Sequence, residues 1–245
     1  MSAPFLAHGW ASSPERLAVA AAVTLGFALL ARILRGVSGA GALAGGLACF
    51  ALVAGAGPGA FATLATLFVI TWMATRIGYR RKQELSLAES REGRNARQVL
   101  ANLAVSGLGA LAFGASGNKQ WLVAASAALA EAATDTVASE IGQARRPEAY
   151  LITTWEKVPA GTDGGITVSG TLSGLAGGLL IAAVAMAGGL VPPGKIWIPL
   201  AAGFAGMLGD SVLGATLQKQ GLISNQGVNF VATLAAAALG FLLSR

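Results

Sequence analysis

A chain of 245 residues has room for one domain or two. Apolar residues make up 54% of it and charged residues only 11%, against about 25% charged in an ordinary soluble domain, and the mean hydropathy is +0.64. These values exclude both a soluble globular enzyme and a disordered chain. Cys49 and His8 are the single cysteine and single histidine. The chain therefore offers no intramolecular disulfide, no multi-cysteine metal site and no histidine-based triad. Any chemistry rests on carboxylates, amides, hydroxyls, lysines and arginines.

A hydrocarbon core of about 30 Å needs about 20 mostly apolar residues in a helix, and eight stretches meet or approach that length. The first, 17–34, reads as a retained span and not as a signal peptide, because its apolar run is long and no cleavage site follows. The second, 37–56, carries Gly41 and Gly45 at four-residue spacing, and the third, 59–75, follows the short turn GAGPG. The polar connection 76–97 sets seven basic groups against Glu84, Glu89 and Glu92. Arg76, Arg80, Arg81 and Lys82 read as topology determinants in contact with anionic lipid. Arg94, Arg97, Gln98 and Asn102 instead run into the fourth span, 98–115, where Arg97 at the helix entrance is placed to grip phosphate bidentately.

The fifth span, 119–140, departs from the others. Glu131, Asp135 and Ser139 follow one another at four-residue steps and so share one helix face, with Glu140 at the boundary. Asp135 stands about 6 Å along the helix from Glu131. An aspartate at a helix centre costs about 2.5–3.5 kcal/mol of insertion free energy, so this stripe must face other helices or water and marks a site by default.

The polar insertion 152–171 then alternates Gly161, Gly164, Gly165 and Gly170 with Thr162, Thr167, Ser169 and Thr171 ahead of the sixth span, 166–190. Such a backbone at a helix N-terminus can present N–H groups to an anion, with Lys157 as counter-charge, although no GxxxxGK[ST] string occurs. Gly170, Gly174 and Gly178 make a smooth face for close helix packing. In the seventh span, 195–217, Asp210 shares a face with Ala202, Gly206 and Gly214, and Asn225, Gln226 and Asn229 cluster at the start of the eighth, 228–243. Carboxylates from two spans converging with amide oxygens suit Mg²⁺, a hard cation that keeps water or phosphate oxygens in its shell.

Charge sets the orientation. The connections on one side hold Arg32, Arg35, Arg76, Arg80, Arg81, Lys82, Arg91, Arg94, Arg97, Arg145, Arg146, Lys157 and Lys219, thirteen of the 17 basic residues, and the other side keeps Arg16, Lys119, Lys195 and Arg245. The positive-inside rule then predicts both termini outside. The expected fold is all-α: a polytopic membrane helix bundle of about eight transmembrane helices, forming a single integral membrane domain over 1–245. Its expected location is the cell (inner) membrane, with the polar connections facing the cytoplasm. The net charge of +6 is a topology signal, so membrane lipids are expected as partners and nucleic acid is not.

Five motifs in order, RQVLAN (97–102), TDTVASEIG (134–142), ITT followed by the GT and GG pairs (152–165), GDSVLGATLQ (209–218) and NQGVN (225–229), resemble the phytyl-phosphate kinase family of integral membrane proteins. That family is related more distantly to phytol and dolichol kinases and to phosphatidate cytidylyltransferases. The resemblance implies phosphoryl transfer from a nucleoside triphosphate, CTP or ATP, to an isoprenoid lipid phosphate. Carried over by motif, Asp135, Glu140 and Asp210 would hold Mg²⁺. Asn102, Thr154, Gly161, Thr162, Gly164, Gly165, Asn225 and Asn229 would bind the nucleotide, and Asp135, Asp210, Arg97 and Lys157 would act on the transferring group. The sequence departs from the pattern at Gln226, where the family more often has an acidic residue. The same residues are compatible with a CTP-dependent lipid-phosphate cytidylyltransferase or an isoprenoid alcohol kinase. Intramembrane carboxylates and glycine-rich helices also fit an ion-coupled transporter.

Overall fold

The apolar runs fold as long helices in a computed structural model that describes residues 10–145 and 148–245; His8 and Arg146 lie outside the described residues. Ser13 caps α1 (Pro14–Ile33) and Ser38 caps α2 (Gly39–Ala56), each accepting a hydrogen bond from a backbone N–H of the first turn. A proline at the first position opens α3 (Pro58–Arg76), and a short α4 (Tyr79–Glu84) follows. Then come α5 (Ala96–Ser116), α6 (Gln120–Arg145), α7 (Val168–Ala187), α8 (Trp197–Leu213) and α9 (Asn225–Leu243).

Seven of these helices, counting α8 with its flanking turns as Pro193–Gln218, are long and apolar enough to cross a membrane. The eighth long helix, α6, has 26 residues and completes the expected bundle of about eight, but it is less apolar than the other seven. The reason is its polar stripe. Every residue of α6 from Leu122 through Thr134 is buried, which is the signature of a helix surrounded by others. It packs against α3, α5, α7, α8 and α9. Protein, not lipid, surrounds the chain's most polar span.

Missing side chains permit that crowding. A Cβ on Gly174 would lie 2.5 Å from the Thr134 carbonyl oxygen, one on Gly178 2.3 Å from Thr134 Oγ1, and one on Gly170 2.5 Å from the Ala138 carbonyl oxygen. The expected glycine face of α7 is therefore the surface that receives α6. On α8, Gly206 makes room for Glu131, whose Cγ would stand 2.5 Å from a Cβ there.

The chain alternates between two ends. One end gathers Trp10, which donates to the Gly55 carbonyl oxygen at 3.3 Å, the close approach of Gly59 to Gly188, and Lys195, which donates to Ser244 O at 2.6 Å. Trp121 packs against Phe241 there, the rings tilted and their centroids 4.5 Å apart. The other end holds the arginine-rich connections. There Arg94 donates through its backbone to Gly36 O at 3.1 Å, and Gly78 closes on Ala144. The connection from α6 to α7, read from sequence as a plain polar insertion, contains a small antiparallel sheet of β1 (Glu148–Leu151), β2 (Lys157–Pro159) and β3 (Gly165–Ile166) in the order β2-β1-β3.

Gly174→Ala should lower the unfolding temperature in detergent, because overpacking a tight contact costs about 1–3 kcal/mol. Gly26→Ala, where nothing lies within 4 Å of the added atom, should leave the temperature unchanged or raise it. Equal responses would show that the α6–α7 contact is looser than described.

Candidate functional site

Asp135 reaches its place because α6 continues past the buried section towards the arginine-rich end. Asp210 reaches its place from the last turn of α8. Both line one cavity of about 200 Å³, walled by α6, α7, α8 and the loop Gly161–Gly165, with Asn225 at the start of α9. Asp210 Oδ2 is buried and has no hydrogen-bond partner. Glu131, one turn deeper, is 1% exposed, and neither of its carboxylate oxygens has a partner. The three carboxylates lie within electrostatic reach of one another.

The loop opposite them is shaped by its glycines. Gly161 has φ +85° and Gly164 +76°, backbone conformations that L side chains rarely adopt. A Cβ on Gly164 would also sit 2.6 Å from Ser211 O, so the loop lies directly against α8. Thr162 and Gly165 do not offer free N–H groups as the sequence suggests: they donate to Pro159 O (3.2 Å) and Thr162 O (2.9 Å), because the loop closes on itself as a turn. The N-terminus of α7 is likewise occupied, since Thr167 Oγ1 accepts from Gly170 N at 3.0 Å. Beyond Asp210 the helix widens into a π turn, Gly214–Gln218, a feature frequent at functional sites. Its Gln218 donates to Asp163 Oδ1 at 2.8 Å. Asp163 lines the cavity and was not singled out from sequence; its place inside the threonine- and glycine-rich loop was the available signal.

These donors are hard oxygens: carboxylates of Asp135, Asp210 and Asp163, hydroxyls, and the Asn225 amide. Among the described residues no three His, Cys, Asp or Glu side chains close into a metal cage. A cation here would complete its shell with water or ligand phosphate, the habit of Mg²⁺. The partnerless Asp210 oxygen fits that chemistry.

Several expected residues stand elsewhere. Both Glu140 oxygens are engaged, one by a buried ion pair with Lys82 and the other by Thr75 Oγ1 at 2.8 Å. Lys82 is 0% exposed and also donates to Thr75 O at 2.8 Å. It is therefore an internal anchor for the 77–95 connection and not a lipid-facing charge. Arg97 is exposed and does not line the Asp135–Asp210 cavity. The α5 N-terminus that was to serve phosphate is closed by a capping box of Asn95 and Gln98. Arg94, just before that cap, turns inward and donates to Thr136 Oγ1 at 3.3 Å.

Lys157 is 62% exposed and pairs with Glu148 at 3.2 Å, and that carboxylate, by hydrogen bond and charge, holds the ammonium pKa above its ordinary value. Thr154 is exposed and donates to Glu156 at 3.2 Å. Asn229 donates to Asn102 at 3.2 Å, and Asn102 lines a second cavity bounded by α1, α2, α3, α5 and α6. Of the expected residues, the structure groups Asp135, Asp210, Gly161, Thr162, Gly164, Gly165 and Asn225.

A membrane bundle with a partnerless aspartate oxygen in a cavity walled by a glycine loop defines a class, and comparison with known proteins supplies the family. Residues 22–237 match the family described as integral membrane protein DUF92, and the chain belongs to it. It is an integral, multi-pass membrane protein of the family its motifs resemble. Similar proteins include the uncharacterized membrane protein sll0875 of Synechocystis sp., 37% identical over 70% of this chain and 69% of the relative. The uncharacterized membrane protein MJ0933 of Methanocaldococcus jannaschii is 34% identical over 74% of each chain. Protein VTE6, chloroplastic, of Arabidopsis thaliana is 31% identical over 71% of this chain and 55% of its own length. No solved structure matches the chain.

Glu140→Gln would leave the Lys82 ammonium buried without its counter-charge, a change that costs about 3–5 kcal/mol. Unfolding in detergent should show that loss, and the double change Lys82→Met with Glu140→Leu should recover most of it. A Glu140→Gln protein of normal stability would mean that the pair is not what holds this connection.

Proposed function

We propose that the protein is an isoprenoid monophosphate kinase that moves a phosphoryl group from a nucleoside triphosphate to a membrane lipid phosphate, giving the lipid diphosphate. The observation that carries this reading is the meeting of Asp135 and Asp210, from separate helices, in one polar cavity against the 161–165 loop, with an Asp210 oxygen buried and partnerless. Support also comes from membership of the family and from the likeness to VTE6.

Phosphoryl transfer asks for positioning and charge neutralisation more than for covalent help. Asp135 and Asp210 would hold Mg²⁺, with the Asn225 amide orienting donor phosphates along the loop; the Thr162 hydroxyl, expected to join it, instead donates to Pro159 O at 2.7 Å. When bound, the cation neutralises charge on the donor phosphates. An oxygen of the acceptor phosphate attacks the γ phosphorus, the bond from that phosphorus to the β–γ bridging oxygen breaks, and the nucleoside diphosphate leaves. The acceptor oxygen is already ionised at neutral pH, so no histidine or other general base is required. The chemistry would face the cytoplasm across the cell membrane, since the arginine-rich end carries the cavity and basic connections stay inside.

Purified protein supplied with phytyl monophosphate, Mg²⁺ and either ATP or CTP should release the nucleoside diphosphate. Release of pyrophosphate would instead identify a cytidylyltransferase. Asp135→Asn and Asp210→Asn should each lower turnover at least 100-fold with unfolding temperature retained, and wild-type rates in both would remove these residues from the chemistry.

A further inference from the structure

The cavity of Asp135 and Asp210 measures about 200 Å³ and is lined largely by polar groups, and α6 contributes to a second, more apolar cavity as well. This cavity, of about 300 Å³, has apolar walls that include Phe27, Leu67 and Phe68. Its rim at the arginine-rich end carries Arg35, Arg76, Arg91 and Arg94. Among the described residues none of the four makes an ion pair. The one carboxylate in the lining, Glu89, already accepts from Gln98 Nε2 at 3.0 Å and from Ser90 N at 2.9 Å. A cationic rim above an apolar shaft is complementary to an amphiphile with an anionic head and a hydrocarbon tail.

The rim is held in place. Arg76 lies over the Trp72 ring at 3.7 Å and donates to Leu34 O at 2.8 Å. The Arg94 backbone donates to Gly36 O and accepts from Ser38 N at 3.0 Å. A Cβ on Gly41 would lie 2.2 Å from Arg94 O, so that glycine is what lets α2 approach this segment. The Arg94 side chain reaches Thr136, the neighbour of Asp135 in the chain, and acts electrostatically on Asp135 itself. Asn102 in this cavity is tied to Asn229, one helical turn from Asn225 in the other. An anion at Arg94 would therefore stand beside the Asp135–Asp210 cavity, with only the Asp135–Thr136 section of α6 and the asparagine pair between.

We infer that this second cavity is the acceptor site: it takes a single-chain isoprenoid monophosphate, with the phosphate on Arg94 and the rim arginines and the chain passing between α1 and α3. The isoprenoid identity rests on the function proposed above, whereas the single chain and the anionic head follow from the cavity. Its volume is at the low end of the roughly 300–1,000 Å³ of small-molecule sites, enough for the first part of one chain and too little for two acyl chains. Between α1 and α3, Phe27 meets Phe61 edge-on at 5.4 Å and Phe68 at 5.5 Å, so a chain leading out to lipid there would pass these rings.

The test is equilibrium binding of radiolabelled phytyl monophosphate to the purified full chain in detergent without nucleotide, with phytol, inorganic phosphate and dioleoyl phosphatidate as competitors. Unlabelled phytyl monophosphate should compete at least tenfold better than any of the three. Arg94→Gln should weaken binding of phytyl monophosphate at least tenfold with little change for phytol. Gly45→Leu, which fills the apolar wall, should weaken both. The double change Arg35→Gln with Arg91→Gln, at two exposed positions, keeps the test open should Arg94→Gln fail to fold, and it should weaken phytyl monophosphate several-fold. Wild-type binding in all folded variants, or phosphatidate competing as well as phytyl monophosphate, would overturn the assignment. Binding with the expected pattern but no transfer from any nucleotide would sink the kinase reading and leave this site standing. Transfer with an unchanged acceptor KM in Arg94→Gln and Gly45→Leu would do the reverse.

Discussion

A carboxylate in hydrocarbon has no water to hydrate it, so a span that carries three acidic residues can exist only inside other spans. That constraint fixes the place of α6. Its central section is mostly alanine, and its neighbours meet it with Gly170, Gly174 and Gly178 of α7, Gly203 and Gly206 of α8 and Gly240 of α9. Small residues on both sides let backbones approach where lipid supplies no hydrophobic drive. The same closeness carries Asp135 to the wall that Asp210 and the Gly161–Gly165 loop also form. Packing and site are consequences of one arrangement.

The two ends of the bundle are finished differently. At the end holding Trp10 and Ser244 the turns are short, and contacts between helices distant in sequence, such as Gly59 on Gly188 and Trp121 against Phe241, hold the bundle together. At the arginine-rich end two connections, before α5 and before α7, are long, and each of these is tied down by a specific polar contact. Lys82 with Glu140 anchors the segment before α5, and Gln218 with Asp163 anchors the loop before α7. These contacts leave two cavities at that end, one polar and one apolar with a basic rim, separated by a single section of α6. A water-soluble donor and a lipid acceptor could reach neighbouring positions by different routes.

Much of this was legible in the chain because helical periodicity carries it. The four-residue steps of Glu131 and Asp135, of Ala202, Gly206 and Asp210, and of the α7 glycines place those residues on the faces the structure shows. The alternation of basic and uncharged connections gave the order of the ends. What was not legible depends on partners distant in sequence. Glu140 looks like an acid at a site boundary until Lys82, 58 residues earlier, is folded onto it. Arg94 and Arg97 are equivalent on paper, and the capping box that sends one inward and the other outward is a local geometric detail. The strands between α6 and α7 are only two to four residues long, too short for alternation to announce them. Asp163 lies in a turn, where no periodicity points to it.

The central claim is that Asp135 and Asp210 act together on one cation with donor phosphate. Electron paramagnetic resonance of Mn²⁺, titrated into the purified protein with a non-hydrolysable nucleoside triphosphate analogue, tests it most directly. The account predicts a protein-bound Mn²⁺ signal that depends on the nucleotide and disappears in the folded Asp135→Asn, Asp210→Asn double variant. An undiminished signal in that variant would contradict it.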